Sequence, residues 1–104
     1  QWLTRAREMQ ERMERLRQEL ATRRIEASAG AGLVTAVATG ELRILEIRID
    51  PGLIEGGDRA MVQDLVASAV NEALRRAQEM VQSELQRAAG GLQLPFAPPS
   101  SGEG

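Results

Sequence analysis

Residues Ile25 to Ile54 read IEASAGAGLVTAVATGELRILEIRIDPGLI, short β-patterned runs punctuated by Gly and Pro and flanked on both sides by long stretches of helical periodicity. This order constrains the fold more than any other feature. Three short strands cannot cover their own apolar face, so the helices on either side must do so. The expected fold class is α+β: a long N-terminal helix, a three-stranded antiparallel β-meander and a long C-terminal helix, in the order α-β-β-β-α.

Trp2, Ala6, Met9, Met13, Leu16 and Leu20 recur at intervals of 4, 3, 4, 3 and 4. That is the heptad spacing of a narrow coiled-coil seam, not the broad apolar face of a core helix. The spacing predicts a helical arm over residues 1–24 that projects and pairs with another helix, about 35 Å long at 1.5 Å per residue. Arg23 falls on the next seam position, where the coil ends. No initiator Met is present, which leaves room for further native helix before Gln1.

After the Gly30-Ala31-Gly32 turn, Leu33 to Thr39 reads as a small-residue strand, and Gly40-Glu41 as a tight hairpin turn. In Leu42 to Asp50, Leu45, Ile47 and Ile49 alternate with Glu46, Arg48 and Asp50, so one face is expected to be buried. Leu42 and Ile44 fall in the opposite phase; either a bulge shifts the register near Ile44 or both faces are covered there. Pro51 cannot donate to a ladder and ends the strand. Gly56-Gly57 reads as a loop, and Asp58 as the N-cap of a helix over 58–89.

That second helix begins with a wide apolar arc, Met61, Val62, Leu65, Val66, Ala69, Val70 and Ala73, suited to packing on the sheet. It narrows to Leu74, Ala77, Val81, Leu85 and Ala88, a stripe suited to lying on the first helix. Gly90-Gly91 stops it. The organisation expected is one domain over 1–96, comprising the arm 1–24, the meander 25–50 and the helix 58–89, followed by a disordered Pro- and Ser-rich tail over 97–104. Leu92, Leu94 and Phe96 are expected to dock, because solvating them is costly.

At 104 residues the chain is small enough to leave much apolar surface exposed unless a partner covers it, so a dimer is the physical expectation. Its only aromatic residues are Trp2 and Phe96, so the core must come from Leu, Ile, Val, Met and Ala. With no Cys there are no disulfides or thiolate metal sites, and no apolar run approaches the length of a membrane span.

The inventory is poor for an enzyme. The chain has no His, Cys, Tyr or Lys, which removes the usual general base, thiol nucleophile and Schiff-base amine. Asp50 and Glu55 beside a Gly-rich loop are too few to make an oxygen-ligand metal site. The Gly30-x-Gly32 turn leads into a strand, without the helix N-terminus that phosphate loops use. No catalytic residue, cofactor, metal or small-molecule substrate is therefore expected.

What remains is arginine on helices. Net charge is -2, but residues 1–26 carry seven Arg against five Glu, and every basic residue of the chain is Arg. At 100° per residue Arg5, Arg12 and Arg23 fall along one flank of the seam, Arg17 and Arg24 along the other, and Arg76 and Arg87 share a flank of the second helix. Guanidinium forks on projecting helices suit phosphate oxygens. The competing use is intrahelical pairing, since Glu8–Arg12, Glu11–Arg15, Glu19–Arg23 and Glu72–Arg76 are all i, i+4 pairs in the favourable orientation, each worth about 0.2–0.5 kcal/mol. Gln10, Gln18 and Asn71 could reach bases, but Asn71 is placed among buried small residues and reads as a structural hydrogen bonder.

Four motifs stand in order between about Met9 and Phe96: Gly30-Ala31-Gly32-Leu33-Val34, Ile49-Asp50-Pro51-Gly52-Leu53, Asp64-Leu65-Val66-Ala67 followed by Asn71, and Gly90-Gly91-Leu92-Gln93-Leu94-Pro95. With these the chain resembles the YbaB/EbfC family of bacterial nucleoid-associated proteins. The resemblance implies a cytoplasmic, nucleoid-associated homodimer, joined through the sheet region, that binds double-stranded DNA without enzymatic activity. The sequence itself supplies the arms and their Arg stripes: candidate DNA contacts are Arg5, Arg12, Arg17, Arg23, Arg76 and Arg87. Candidate packing residues of the arm and dimer are Met9, Met13, Leu16, Leu20, Leu45, Ile47 and Ile49. The alternative is a coiled-coil scaffold whose arms hold a recombination or replication protein and do not touch DNA.

Overall fold

The computed structural model describes residues 1–90. Its elements are α1 (Trp2–Thr22), β1 (Arg24–Ala29), β2 (Val34–Thr39), β3 (Ile44–Ile49), α2 (Pro51–Glu55) and α3 (Arg59–Gly90). This is the expected α+β order with one short helix added. The expectations for Leu92, Leu94 and Phe96 and for the tail 97–104 lie outside the described residues.

The sheet is antiparallel in the order β1-β2-β3. Its register puts Ile25, Ala27 and Ala29 on one face with Val34, Ala36 and Ala38, and with Ile44, Ile47 and Ile49 of β3. The helix α3 crosses this face. Ala69, Ala73 and Ala77, four residues apart and so on one side of the helix, are fully buried against Ala27, Ala36 and Ala38, with Leu53 from α2 completing the core. Alanine on alanine lets the helix lie close to the sheet, so the core is thin.

On the opposite face Val37 is fully buried as well. Its cross-strand neighbours are Glu26 and Glu46, and the ion pairs Arg24–Glu46 (3.3 Å), Arg48–Glu26 (3.2 Å) and Arg48–Glu46 (2.9 Å) close over it. Long stems cover the valine while the charged ends remain in water.

Several expectations are corrected. The face carrying Leu45, Ile47 and Ile49 is not buried within the chain: Leu45 is 51% and Ile47 40% exposed, and Ile49 is half-buried. The reason is geometric, because α3 lies over β1 and β2 and leaves the edge strand β3 largely uncovered. The phase conflict in this strand is a bulge. Ala38 stands opposite Ile44 and Val37 opposite Glu46, so Leu45 is the extra residue.

The hairpin turn is also longer than two residues. Leu42 N–H donates to the Thr39 carbonyl at 2.8 Å and Thr39 N–H to that of Arg43 at 2.9 Å. Leu42 takes the left-handed conformation, φ 65°, that glycine usually fills in three-residue loops of this kind. Leu33 belongs to the Gly30–Leu33 turn and not to the strand, though its carbonyl still accepts from Asp50 N–H at 2.8 Å.

Beyond the strand the chain forms the short helix α2, for which no element was expected, before the Gly56-Gly57 loop. The Asp50 carboxylate accepts from Gly52 N–H at 2.9 Å, and Pro51 occupies the first turn, where its missing N–H costs nothing. Asp58 caps α3 as expected, accepting from Met61 N–H at 3.1 Å. Asn71 is exposed, not buried among small residues.

The arm α1 ends at Thr22, two residues earlier than expected, because Arg23 is already extended (φ -69°, ψ 136°) and Arg24 enters the sheet opposite Thr39. Its seam closes progressively. Trp2 is 78% exposed, Met9, Met13 and Leu16 are half-buried, and Leu20 is buried at 1%. The molecule measures 66 × 32 × 15 Å with a radius of gyration of 18.9 Å, well above the roughly 13 Å of a compact domain of about 100 residues. The helices therefore project away from the sheet.

Candidate nucleic-acid interface

Because α1 stands clear of the sheet, the carboxylates in reach of its arginines among the described residues are those on the same helix and at the end of α3. Among the described residues Arg5, Arg7, Arg12 and Arg15 have no carboxylate within 4.0 Å, and the expected Glu8–Arg12, Glu11–Arg15 and Glu19–Arg23 pairs do not form. Arg17 reaches Glu14 at 3.9 Å, and Arg23 crosses to Glu84 of α3 at 3.9 Å. Glu84 also faces Arg87 at 3.8 Å, so one carboxylate lies between two guanidiniums.

Most arginines of α3 and the sheet are held differently, although Arg59 at the start of α3 and Arg43 just before β3 also have no carboxylate within 4.0 Å among the described residues. Arg76 donates to Glu72 at 3.0 Å and to the Glu26 carbonyl at 3.1 Å, which ties α3 to β1. Of the four expected i, i+4 pairs this one forms. Arg75 grips the same Glu72 and also Glu79. The Arg75 hydrogen bond, followed by that from Arg76, pulls the Glu72 carboxyl down to about 2 from its ordinary 4.5. Hydrogen bonds to Glu46 and Glu26 raise the Arg48 guanidinium further above its already high value. Arg24, expected to line the flank of the arm with Arg17, is instead a strand residue paired with Glu46.

The sequence candidates thus separate. Arg5 and Arg12 share a groove with Trp2, Ala6, Glu8 and Met9. Arg12 and Arg15 border the next groove, along Met9, Met13 and Leu16. Arg17 lies on the other side of the helix with Arg7, Gln10, Glu11 and Glu14. Arg23 is past the helix end, and Arg76 and Arg87 are engaged with carboxylates. Arg15 was missed because Glu11 stands four residues before it; its three-residue spacing from Arg12 was the signal available. Met13, Leu16 and Leu20 pack at the α1–α3 contact, whereas Leu45 and Ile47 are left exposed on β3.

A row of exposed, unpaired guanidiniums on a projecting helix can accept phosphate oxygens without first breaking an ion pair. Among the described residues no comparable cluster of metal ligands stands beside it, no three His, Cys, Asp or Glu side chains being grouped so as to hold a metal ion. Asp50 spends its carboxylate on capping α2.

The YbaB/EbfC DNA-binding family matches residues 1–92 of the chain. A nucleoid-associated protein of Acetivibrio thermocellus is 52% identical over 87 residues, covering 84% of this chain and 77% of that protein. One from Ruminiclostridium cellulolyticum is 47% identical over 87 residues, covering 84% and 76%. Among solved structures, an uncharacterized protein from Helicobacter pylori aligns with a TM-score of 0.60 at 20% identity, over 75% of this chain and 90% of that one, which is a likeness of fold.

Proposed function

As the chain belongs to the YbaB/EbfC DNA-binding family, we propose that it acts at the bacterial nucleoid as a homodimer, gripping duplex DNA through the arginines of its α1 arms and carrying out no catalysis. The observation that carries this reading is the contrast in pairing. Arg5, Arg12 and Arg15 have no carboxylate partner among the described residues, while Arg24, Arg48, Arg75 and Arg76 are spent on Glu26, Glu46, Glu72 and Glu79. Phosphate is the partner that repeated guanidiniums fit, and contacts of this type fix position without reading bases. Glu8 and Glu19 border the same grooves and repel phosphate, so affinity is modest and depends strongly on salt.

Dimerisation through the sheet is supported by β3. It is an edge strand, and Leu45 and Ile47 on it, with Ile54 on α2 and Met61 on α3, are large apolar side chains left in water. An exposed apolar edge favours pairing with a second strand. Two subunits joined there carry two arms, and each arm alone offers too few cations for stable binding.

A gel shift of duplex DNA at two salt concentrations tests the function. Binding that weakens steeply with salt supports DNA contact. No binding at physiological salt contradicts it and favours a scaffold that holds another protein of DNA metabolism.

A further inference from the structure

Trp2, in the first turn of α1, is the largest apolar side chain left in water among the described residues. The helix is not bare throughout. Met9, Met13 and Leu16 are half-buried, and Ala88 near the end of α3 lines the groove they border. Trp2 stands seven residues before Met9, about 10 Å farther out at 1.5 Å per residue of helix. The groove there, of about 540 Å³, is lined by Trp2, Arg5, Ala6, Glu8, Met9 and Arg12, with no residue of α3. Neither arginine has a carboxylate within 4.0 Å among the described residues, so the groove sets two unpaired guanidiniums against one carboxylate. An exposed indole by itself carries no information. One that shares a groove with two free guanidiniums does.

We infer that this groove takes a DNA strand with an exposed base, Arg5 and Arg12 holding its phosphates and the Trp2 indole stacking on the base. This use of the groove rests on the reading of α1 as a DNA-binding arm and adds a preference to it, for unpaired bases over continuous duplex. Arg5 and Arg12 lie two turns apart on one side of the helix, so a strand laid along them from Arg12 to Arg5 next meets Trp2. Every base has a π-face on which an aromatic side chain stacks, whatever the sequence. In a continuous duplex those faces are hidden within the stack, whereas a gap, a melted stretch or a single strand leaves them open.

Charge decides between this occupant and a second copy of the arm. Residues 1–26 carry seven Arg against five Glu, so a second arm would bring further positive charge to a groove that already has an excess of it. An apolar partner helix laid on Trp2 would take Arg5 and Arg12 out of water without supplying carboxylates, which is costly. A nucleic acid supplies both what the indole and what the guanidiniums need. Leu3 is exposed on the next position of the same turn but does not line the groove, and so serves as the control for a general loss of apolar surface.

Trp2 is the chain's one tryptophan, so its emission reports on the groove alone. Oligothymidylate added to the full 104-residue chain should quench that emission strongly, whereas relaxed closed-circular duplex, bound to saturation by gel shift, should quench it little. Trp2→Ala should lower affinity for oligothymidylate about tenfold and leave the slope of log affinity against log salt unchanged, because stacking releases no counterions. Its affinity for the closed duplex should hold, Trp2→Phe should recover part of the loss, and Leu3→Ala should change neither DNA's binding. Oligothymidylate bound with unchanged Trp2 emission would overturn the stacking role and leave the arginine arm standing, as would a Trp2→Ala loss that is equal for duplex. Emission that shifts on dilution without DNA would identify a second copy as the occupant and equally overturn it. If neither DNA binds at physiological salt, the DNA-binding reading fails and the stacking role with it.

Discussion

The carbonyl oxygen of Leu20 lies 2.0 Å from where a Cβ on Gly40 would stand, so the end of α1 rests directly on the β2–β3 turn at a position that only glycine fits. The contact joins arm to sheet with backbone, and Leu20 beside it is the most buried residue of the seam. Gly40→Ala should therefore force the arm off the turn and cost about 1–3 kcal/mol, the usual penalty of overpacking. Urea denaturation measures it; a variant as stable as the original would show that the arm is not seated there.

Ala73 sits in the middle of the stripe that α3 lays on the sheet, with no exposed surface and alanines facing it. Ala73→Leu has no room to expand and should lose about 1–3 kcal/mol or fail to fold cooperatively. By contrast Asn71→Ala, two residues away but exposed, should change stability by less than about 0.5 kcal/mol. Thermal melts of the two variants separate core from surface on the same helix.

How much of this was legible in the sequence depends on whether the signal was local. The heptad seam, the bulge signalled by the phase of Ile44 and the Asp58 cap are written in spacing and residue type. So was α2, since Asp50-Pro51-Gly52 is a cap followed by a first-turn proline, but the same proline also reads as a strand terminator. What spacing does not contain is which strands α3 covers. Alternation in Leu45, Ile47 and Ile49 announced an apolar face, not whether that face is buried by the same chain. Pairing of the arm arginines was misjudged for a related reason: i, i+4 geometry permits Glu8–Arg12 and Glu11–Arg15, but on an exposed helix the gain is too small to fix either side chain.

That exposed β3 face makes the assembly testable. Sedimentation at micromolar concentration should give twice the 11.3 kDa chain mass. Ile47→Asp, at a position 40% exposed in the single chain, should yield a folded monomer, since the charge disrupts the pairing edge while remaining hydrated before assembly. A dimer that survives this substitution would place the interface elsewhere.

Glu72 offers a pH test. Its carboxyl is held at about 2 chiefly by the Arg75 hydrogen bond. A depressed folded-state value means that its contribution to stability is complete above the ordinary 4.5 and is lost as pH falls through about 2. Carbon-detected NMR titration of the carboxyl should show that low midpoint, and Arg75→Gln should move it upward toward 4.5. A midpoint already near 4.5 before substitution would mean that the pair does not persist in solution.

The most direct test of arm-borne DNA binding is the slope of log affinity against log salt, compared across arginine variants. If about four to six phosphates are neutralised per dimer, the slope should be about -4 to -5. Arg5→Gln, Arg12→Gln and Arg15→Gln, each removing one guanidinium from both arms of the dimer, should each flatten it by about one to two units, while Arg48→Gln and Arg75→Gln, which remove arginines already paired with carboxylates, should leave it nearly unchanged. Equal losses from arm and sheet substitutions, or binding indifferent to salt, would contradict the account.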